Sequence, residues 1–242
     1  MTKALSADSV LRVRRHQPTR LEGFVDASFA FAVTLLVISV GHVPSSVPDM
    51  LQALRGLPAF GLSFLLLVRL WYAHRQWSRH YDLDDGAANS LSLVLVFIVL
   101  VFVYPLRFLF SLLMAWLSNG FLVDQPIDLR SVDEYRMAFV VYGVGFAAIA
   151  LVFIRLYAHA LKHAAEIGLS SAEVLATRMY VALWSMQGGI AVLSVLSAAL
   201  LPFDVSRDWL FAVPGTLYAL IGAAAPPIRK SYARAIQALP PP

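Results

Sequence analysis

The chain contains no cysteine. Disulfides, thiolate metal sites and cysteine nucleophiles are therefore excluded, although the redox compartment stays open. Charge is scarce: 14% of the 242 residues are Asp, Glu, Lys or Arg, against about 25% in soluble domains. Hydrophobic residues make up 59%. A soluble fold of this length has no way to hide so much apolar surface, so lipid must be part of its solvent. No zinc-protease helix, phosphate-binding loop or nucleophile–base arrangement stands out. An enzyme is therefore not expected, nor is a cofactor or a resident metal. The formal net charge is +4, but the basic residues flank apolar segments instead of gathering in one patch. That pattern records membrane topology and argues against a nucleic-acid partner.

What the sequence does have is long apolar runs. A helix needs about 20 such residues to cross the hydrocarbon. Six stretches qualify: Glu22 to Val43, Leu57 to Trp77, Ala88 to Leu117, Tyr135 to Leu161, Ala176 to Leu201, and Leu210 to Pro226. The first is too long for a signal-peptide core, and the last is expected to stop at Pro226-Pro227. With the N-terminus inside, inner loops and helix ends hold Lys3, Arg12, Arg14, Arg15, Arg20, Arg75, Arg79, Arg155, Lys162, Arg178, Arg229, Lys230 and Arg234. Outer ones hold only Arg55, Arg107, Arg130, Arg136 and Arg207. This asymmetry predicts an all-α membrane protein with six spans and both termini cytoplasmic. The expected organisation is an N-terminal cytoplasmic segment, 1–19, a six-helix transmembrane domain, 20–230, and a C-terminal tail, 231–242. No internal duplication is evident.

The first segment carries Asp26, a carboxylate that is costly within a membrane and marks a functional or partnered site. On a helical wheel with Phe31 at zero, Leu35 falls at about +40°, Ile38 at about −20°, Ala27 at about −40° and Thr34 at about −60°. Asp26 falls at about −140°, nearly opposite. The helix thus has an apolar stripe with one hydroxyl and a separate acidic face. Trp71, His74 and Asn89 lie at similar depth on the next two segments. They are expected to satisfy Asp26 and to clamp three helices at their inner ends.

The same residues carry a resemblance. Arg20-x-x-x-Phe24-Val25-Asp26 resembles the Arg-x-x-x-Phe-Ser-Asp signature of the transmembrane protein 175 family of potassium channels. Thr34-Leu35-Leu36-Val37-Ile38, Ser63-Phe64, Trp71-Tyr-Ala-His74-Arg75, Asn89 and Tyr104-Pro105 follow in the expected order. The resemblance implies a single-repeat prokaryotic type in the cell membrane, assembled as a homotetramer with the first helices lining a pore. It implies potassium as the permeant ion and Phe31, Leu35 and Ile38 as hydrophobic constrictions, with Ala27 and Thr34 lining the pore nearby. It places Arg20 and Asp26 in the signature beside Trp71, His74 and Asn89. Val25 departs from the signature serine, Phe31 from a smaller aliphatic residue, and Ser39 stands where an acid often follows.

A proton-coupled transporter using Asp26 and His74 is the competing reading. Transporters often show inverted repeats, and none is found here, which favours a channel. Tyr142-Gly143-Val144-Gly145 faintly echoes a potassium filter, but small residues mid-span more often permit close helix packing. His159 and His163 are four apart, but two ligands without a third favour a solvated helix end over a metal site. Arg69 lies within the second segment with no assigned partner.

Overall fold

The computed structural model describes residues 10–39, 45–125, 127, 131–203 and 205–240. Its elements are α1 (Arg20–Ile38), α2 (Val47–Arg55), α3 (Leu57–Tyr81), α4 (Gly86–Ser118), α5 (Val132–Lys162), α6 (Ser171–Leu200), a 3-10 segment (Val205–Ala212), α7 (Val213–Thr216) and α8 (Ala219–Gln237). The protein is all-helical, with six spans among the described residues long and apolar enough to cross a membrane. Val43, the expected end of the first segment, lies outside the described residues, as do Lys3, Asp128, Arg130, Asp204, Pro241, Pro242 and the side chains of Arg207 and Asp208.

Local chemistry sets the helix ends. Thr19 and Glu22 form a capping box, each side chain accepting the other's amide at 3.2 and 2.9 Å. These bonds satisfy donors that an α-helix leaves unpaired at its start. Ser170 and Glu173 repeat the device at α6. Asp85 caps α4 by accepting the Ala87 and Ala88 amides. Asp82 and Asn119 close α3 and α4 in the left-handed region, at φ 51 and 53°.

The helices alternate in direction, so the starts of α1, α4 and α6 share one end of the bundle with the finishes of α3, α5 and α8. We call this the inner end. α1 packs on α3 and α4, α5 packs between α4 and α6, and α8 lies against α6. Close approach depends on two glycines. A Cβ on Gly143 would meet Val195 at 2.5 Å, and one on Gly145 would meet the Phe102 ring at 2.6 Å. The Tyr142–Gly145 stretch is therefore a packing surface. Phe153 stacks on Trp184 with ring centroids 4.1 Å apart, tying α5 to α6.

Three features differ from the sequence reading. The nine-residue α2 was not expected; it is too short to span and joins the outer loop through Gln52, which donates to the Asp124 carbonyl. The last span does not stop at Pro226-Pro227, because α8 continues to Gln237. A proline's fixed φ fits a helix, so the local loss is confined to its missing N–H and the carbonyl one turn earlier. That span is broken instead at its outer start, where the 3-10 segment and α7 precede α8. Arg69 finds an amide partner, donating to Gln187 Oε1 at 3.0 Å.

Candidate functional site

α1 is embedded along one side only. Val25, Phe29, Ala32 and Leu36 are buried, and on the same wheel they centre near +130°, at roughly 100° per residue. The exposed residues are Arg20, Gly23, Phe24, Asp26, Ala27, Ala30, Phe31, Thr34, Val37 and Ile38. They fill an arc from about −140° to +20°. Phe31 is 55% exposed and Ile38 63%, so both stripe residues point away from their own bundle. Leu35 stands at the edge of that arc, half-buried and packed against the core. Gly23, Ala27, Ala30 and Thr34 run down the middle of the arc at helical spacing. The Thr34 hydroxyl donates to the Ala30 carbonyl at 3.2 Å. Its proton is thereby committed, and its oxygen lone pairs remain for another group.

The polar residues divide differently from the expectation. Asp26 and Trp71 come together, with the indole N–H donating to Asp26 Oδ1 at 2.7 Å. Asp26 is nevertheless exposed, on the flank of α1 and not inside the bundle. His74 does not join it. The Ser92 hydroxyl donates to the Ala88 carbonyl, so its oxygen accepts from His74 Nε2–H at 2.9 Å. Asn89 is half-buried and Arg20 exposed; neither bonds to Asp26 among the described residues. Shared depth misleads here, because it leaves rotation about each helix axis free, and His74 turns its Nε2 to Ser92 on α4. Asp26 and His74 do border one polar cavity of about 250 Å³, with Glu22, Arg75 and Arg79. The direct Asp26–His74 link that a proton relay would use is not formed.

The actual inner clamp uses residues that sequence reasoning missed. Ser78 donates to the Glu22 carboxylate. Arg15, 8% exposed, donates from Nε to Asp82 Oδ1 at 2.5 Å and lies 3.8 Å from Glu22. Arg14 reaches the other side, pairing with Glu173 at 2.8 Å. Glu173 also accepts the Arg12 amide at 3.1 Å, and His80 Nδ1 donates to the Arg12 carbonyl at 3.2 Å. The buried Glu173 and the half-buried Glu22, each facing an arginine, thus strap the segment before α1 across the inner ends of α3 and α6. The local signal was the Thr19-x-x-Glu22 capping box; the long-range partners had none.

Residues 20–105 match the family described as endosomal/lysosomal potassium channel TMEM175. This stretch holds α1 to α3 and the first part of α4. A potassium channel from Marivirga tractuosa is 32% identical over 212 residues, covering 86% of this chain and 84% of that protein. The chain belongs to the TMEM175 potassium channel family. A further potassium channel of Streptomyces collinus is 26% identical over 189 residues, covering 75% of this chain and 84% of that protein. A crystal structure of a variant of the potassium channel MtTMEM175, bound to a nanobody fusion, superposes with a TM-score of 0.75 at 28% identity. It covers 94% of this chain and 97% of that one. A TMEM175 homolog from Chamaesiphon minutus gives 0.53 at 22% identity over 90% and 97% of the two chains, a likeness of fold. TMEM175 membership accounts for the position of the signature. Arg20, Phe24 and Asp26 all fall in the first turns of α1, directly beyond the capping box.

Proposed function

We propose that the chain forms a potassium-permeable channel, a homotetramer in which α1 of each subunit lines a central pore. The carrying observation is the bare face of α1 in a member of a potassium channel family. One helix cannot enclose a pore, so a closed ring of copies is needed. The stripe of Gly23, Ala27, Ala30 and Thr34 supports such a ring, since small residues let membrane helices approach closely. Phe31 and Ile38 flank that stripe and would form the constrictions, about 10 Å apart along the axis. Leu35 completes the set from its half-buried edge. An apolar ring of this length gates by dewetting, because an ion entering it loses water. Selectivity then follows the lower dehydration cost of the larger ion, with the Thr34 oxygens as a compensating layer and Ala27 lining the wider inner part.

Around this pore we place the six-helix domain at 20–230, the preceding segment 1–19 and the tail 231–242, with both termini cytoplasmic. Most described Lys and Arg outside the spans' centres lie at the inner end, which supports this orientation in a prokaryotic plasma membrane. Asp26 and Trp71 hold the inner flank of α1 to α3, beside Arg20, His74 and Asn89. The test is potassium flux into liposomes under an imposed gradient, with the detergent-solubilised complex weighed in parallel. Phe31→Ala and Ile38→Asn should each raise flux in a tetramer. A monomeric mass, or flux unchanged in both variants, removes α1 from the pore.

A further inference from the structure

The turn between α3 and α4 meets the end of α5 at a cluster absent from the pore. Asp85 Oδ2 lies 2.6 Å from His159 Nε2. His163, one helical turn further along, sets its ring centroid 4.3 Å from that of His159. One ligand atom from each of the three residues falls within 4.8 Å of the others. We propose that Asp85, His159 and His163 form a binding site for a divalent transition-metal ion, with zinc the best fit.

The ligand set suits such an ion. Two imidazoles and a carboxylate with a water in the fourth place make a common open zinc arrangement. Calcium and magnesium prefer all-oxygen shells. Tetrahedral zinc places its ligand atoms about 3.3 Å apart, with bonds of about 2.0–2.2 Å. The present spacings straddle that value, so side-chain rotation suffices to close the site.

Two of the three ligands are also already oriented by a second partner, the arrangement that tunes metal sites. Asp85 spends Oδ1 on the Ala87 and Ala88 amides, which aims Oδ2 at His159. Burial disfavours the Asp85 charge, but the His159 hydrogen bond and the two amides outweigh it and lower its pKa. His163 Nδ1 lies 3.0 Å from the His159 carbonyl. A carbonyl can only accept, so Nδ1 carries the proton and Nε2 of the neutral ring presents its lone pair. His159 offers Nε2 to the metal as the tautomer whose proton sits on Nδ1. Binding then ties the α3–α4 turn to the end of α5.

The test is zinc titration of the purified, tag-free full chain in detergent, read by calorimetry and by the zinc-dependent shift in melting temperature. Wild type should bind one zinc per chain and melt higher with zinc. His163→Ala should weaken binding about 10-fold or more. Its zinc-free melting temperature should match wild type, because the hydrogen bond it loses runs only to its own helix. Asp85→Asn keeps a capping side chain and should also weaken zinc binding. The proposal is overturned if wild type shows no stoichiometric binding. It is equally overturned if both variants bind zinc as tightly as wild type, which would assign the metal to other histidines.

Discussion

Replacing Glu173 with Gln isolates the strap that precedes α1. The carboxylate accepts from Arg14 at 2.8 and 3.1 Å, from the Arg12 amide at 3.1 Å and from the Ser170 amide at 2.9 Å. Gln is nearly isosteric but neutral, and its one oxygen cannot serve all four donors. Removing one partner of a buried ion pair costs about 3–5 kcal/mol. Arg14 is 18% exposed along its side chain and keeps the carbonyls of Ile167, His80 and Gly168 as acceptors. Those contacts lower the expected loss to about 2 kcal/mol. At roughly 2–4 °C per kcal/mol, the melting temperature in detergent should fall by about 4–8 °C. Trypsin should then cut faster at Arg12, Arg14 and Arg15. Combining Glu173→Gln with Arg14→Gln should cost less than the sum of the two, by about 1 kcal/mol or more. An unshifted melting temperature, or strict additivity, would refute the pairing as an anchor.

Other expectations are narrower. Thr34→Val removes the exposed oxygen while keeping shape, so the potassium-to-sodium permeability ratio from reversal potentials should fall. Trp71→Phe takes the donor from Asp26 and should destabilise by about 1 kcal/mol or less at this exposed site, checked by thermal unfolding. Gly145→Val forces a side chain into the Phe102 ring and should destabilise by about 1–3 kcal/mol or prevent recovery of folded protein; Val144→Ala nearby, at an exposed position, should leave the melting temperature within about 1 °C.

The spans were legible because each is a local property: about 20 apolar residues in a row report a membrane helix without reference to any partner. The bare face of α1 was legible for the same reason, since Phe31 and Ile38 share a stripe fixed by the helical period. What local pattern lacks is distance. Arg14 and Glu173 are 159 positions apart, and Asp85 and His159 are 74 apart. No periodicity announces either pair, so the strap was missed and the two histidines looked like a solvated helix end. Depth alone gathered His74 and Asn89 around Asp26, because depth leaves rotation about the helix axis free. The tandem prolines misled in the opposite way. A strong local stop signal yielded to a backbone that keeps its helical φ across Pro226 and Pro227.

The absence of native cysteine allows the pore to be probed by single introduced thiols. Ile38→Cys, reconstituted in liposomes, should lose potassium flux when treated with a membrane-impermeant cationic thiol reagent, which reaches water-lined positions and not lipid. Val25→Cys, buried against the bundle, should be unaffected by the same treatment. Block of Ile38→Cys alone is the result expected if α1 lines the pore. Full flux in Ile38→Cys after the same treatment, in a channel that still conducts, would place this face of α1 against lipid and contradict the account.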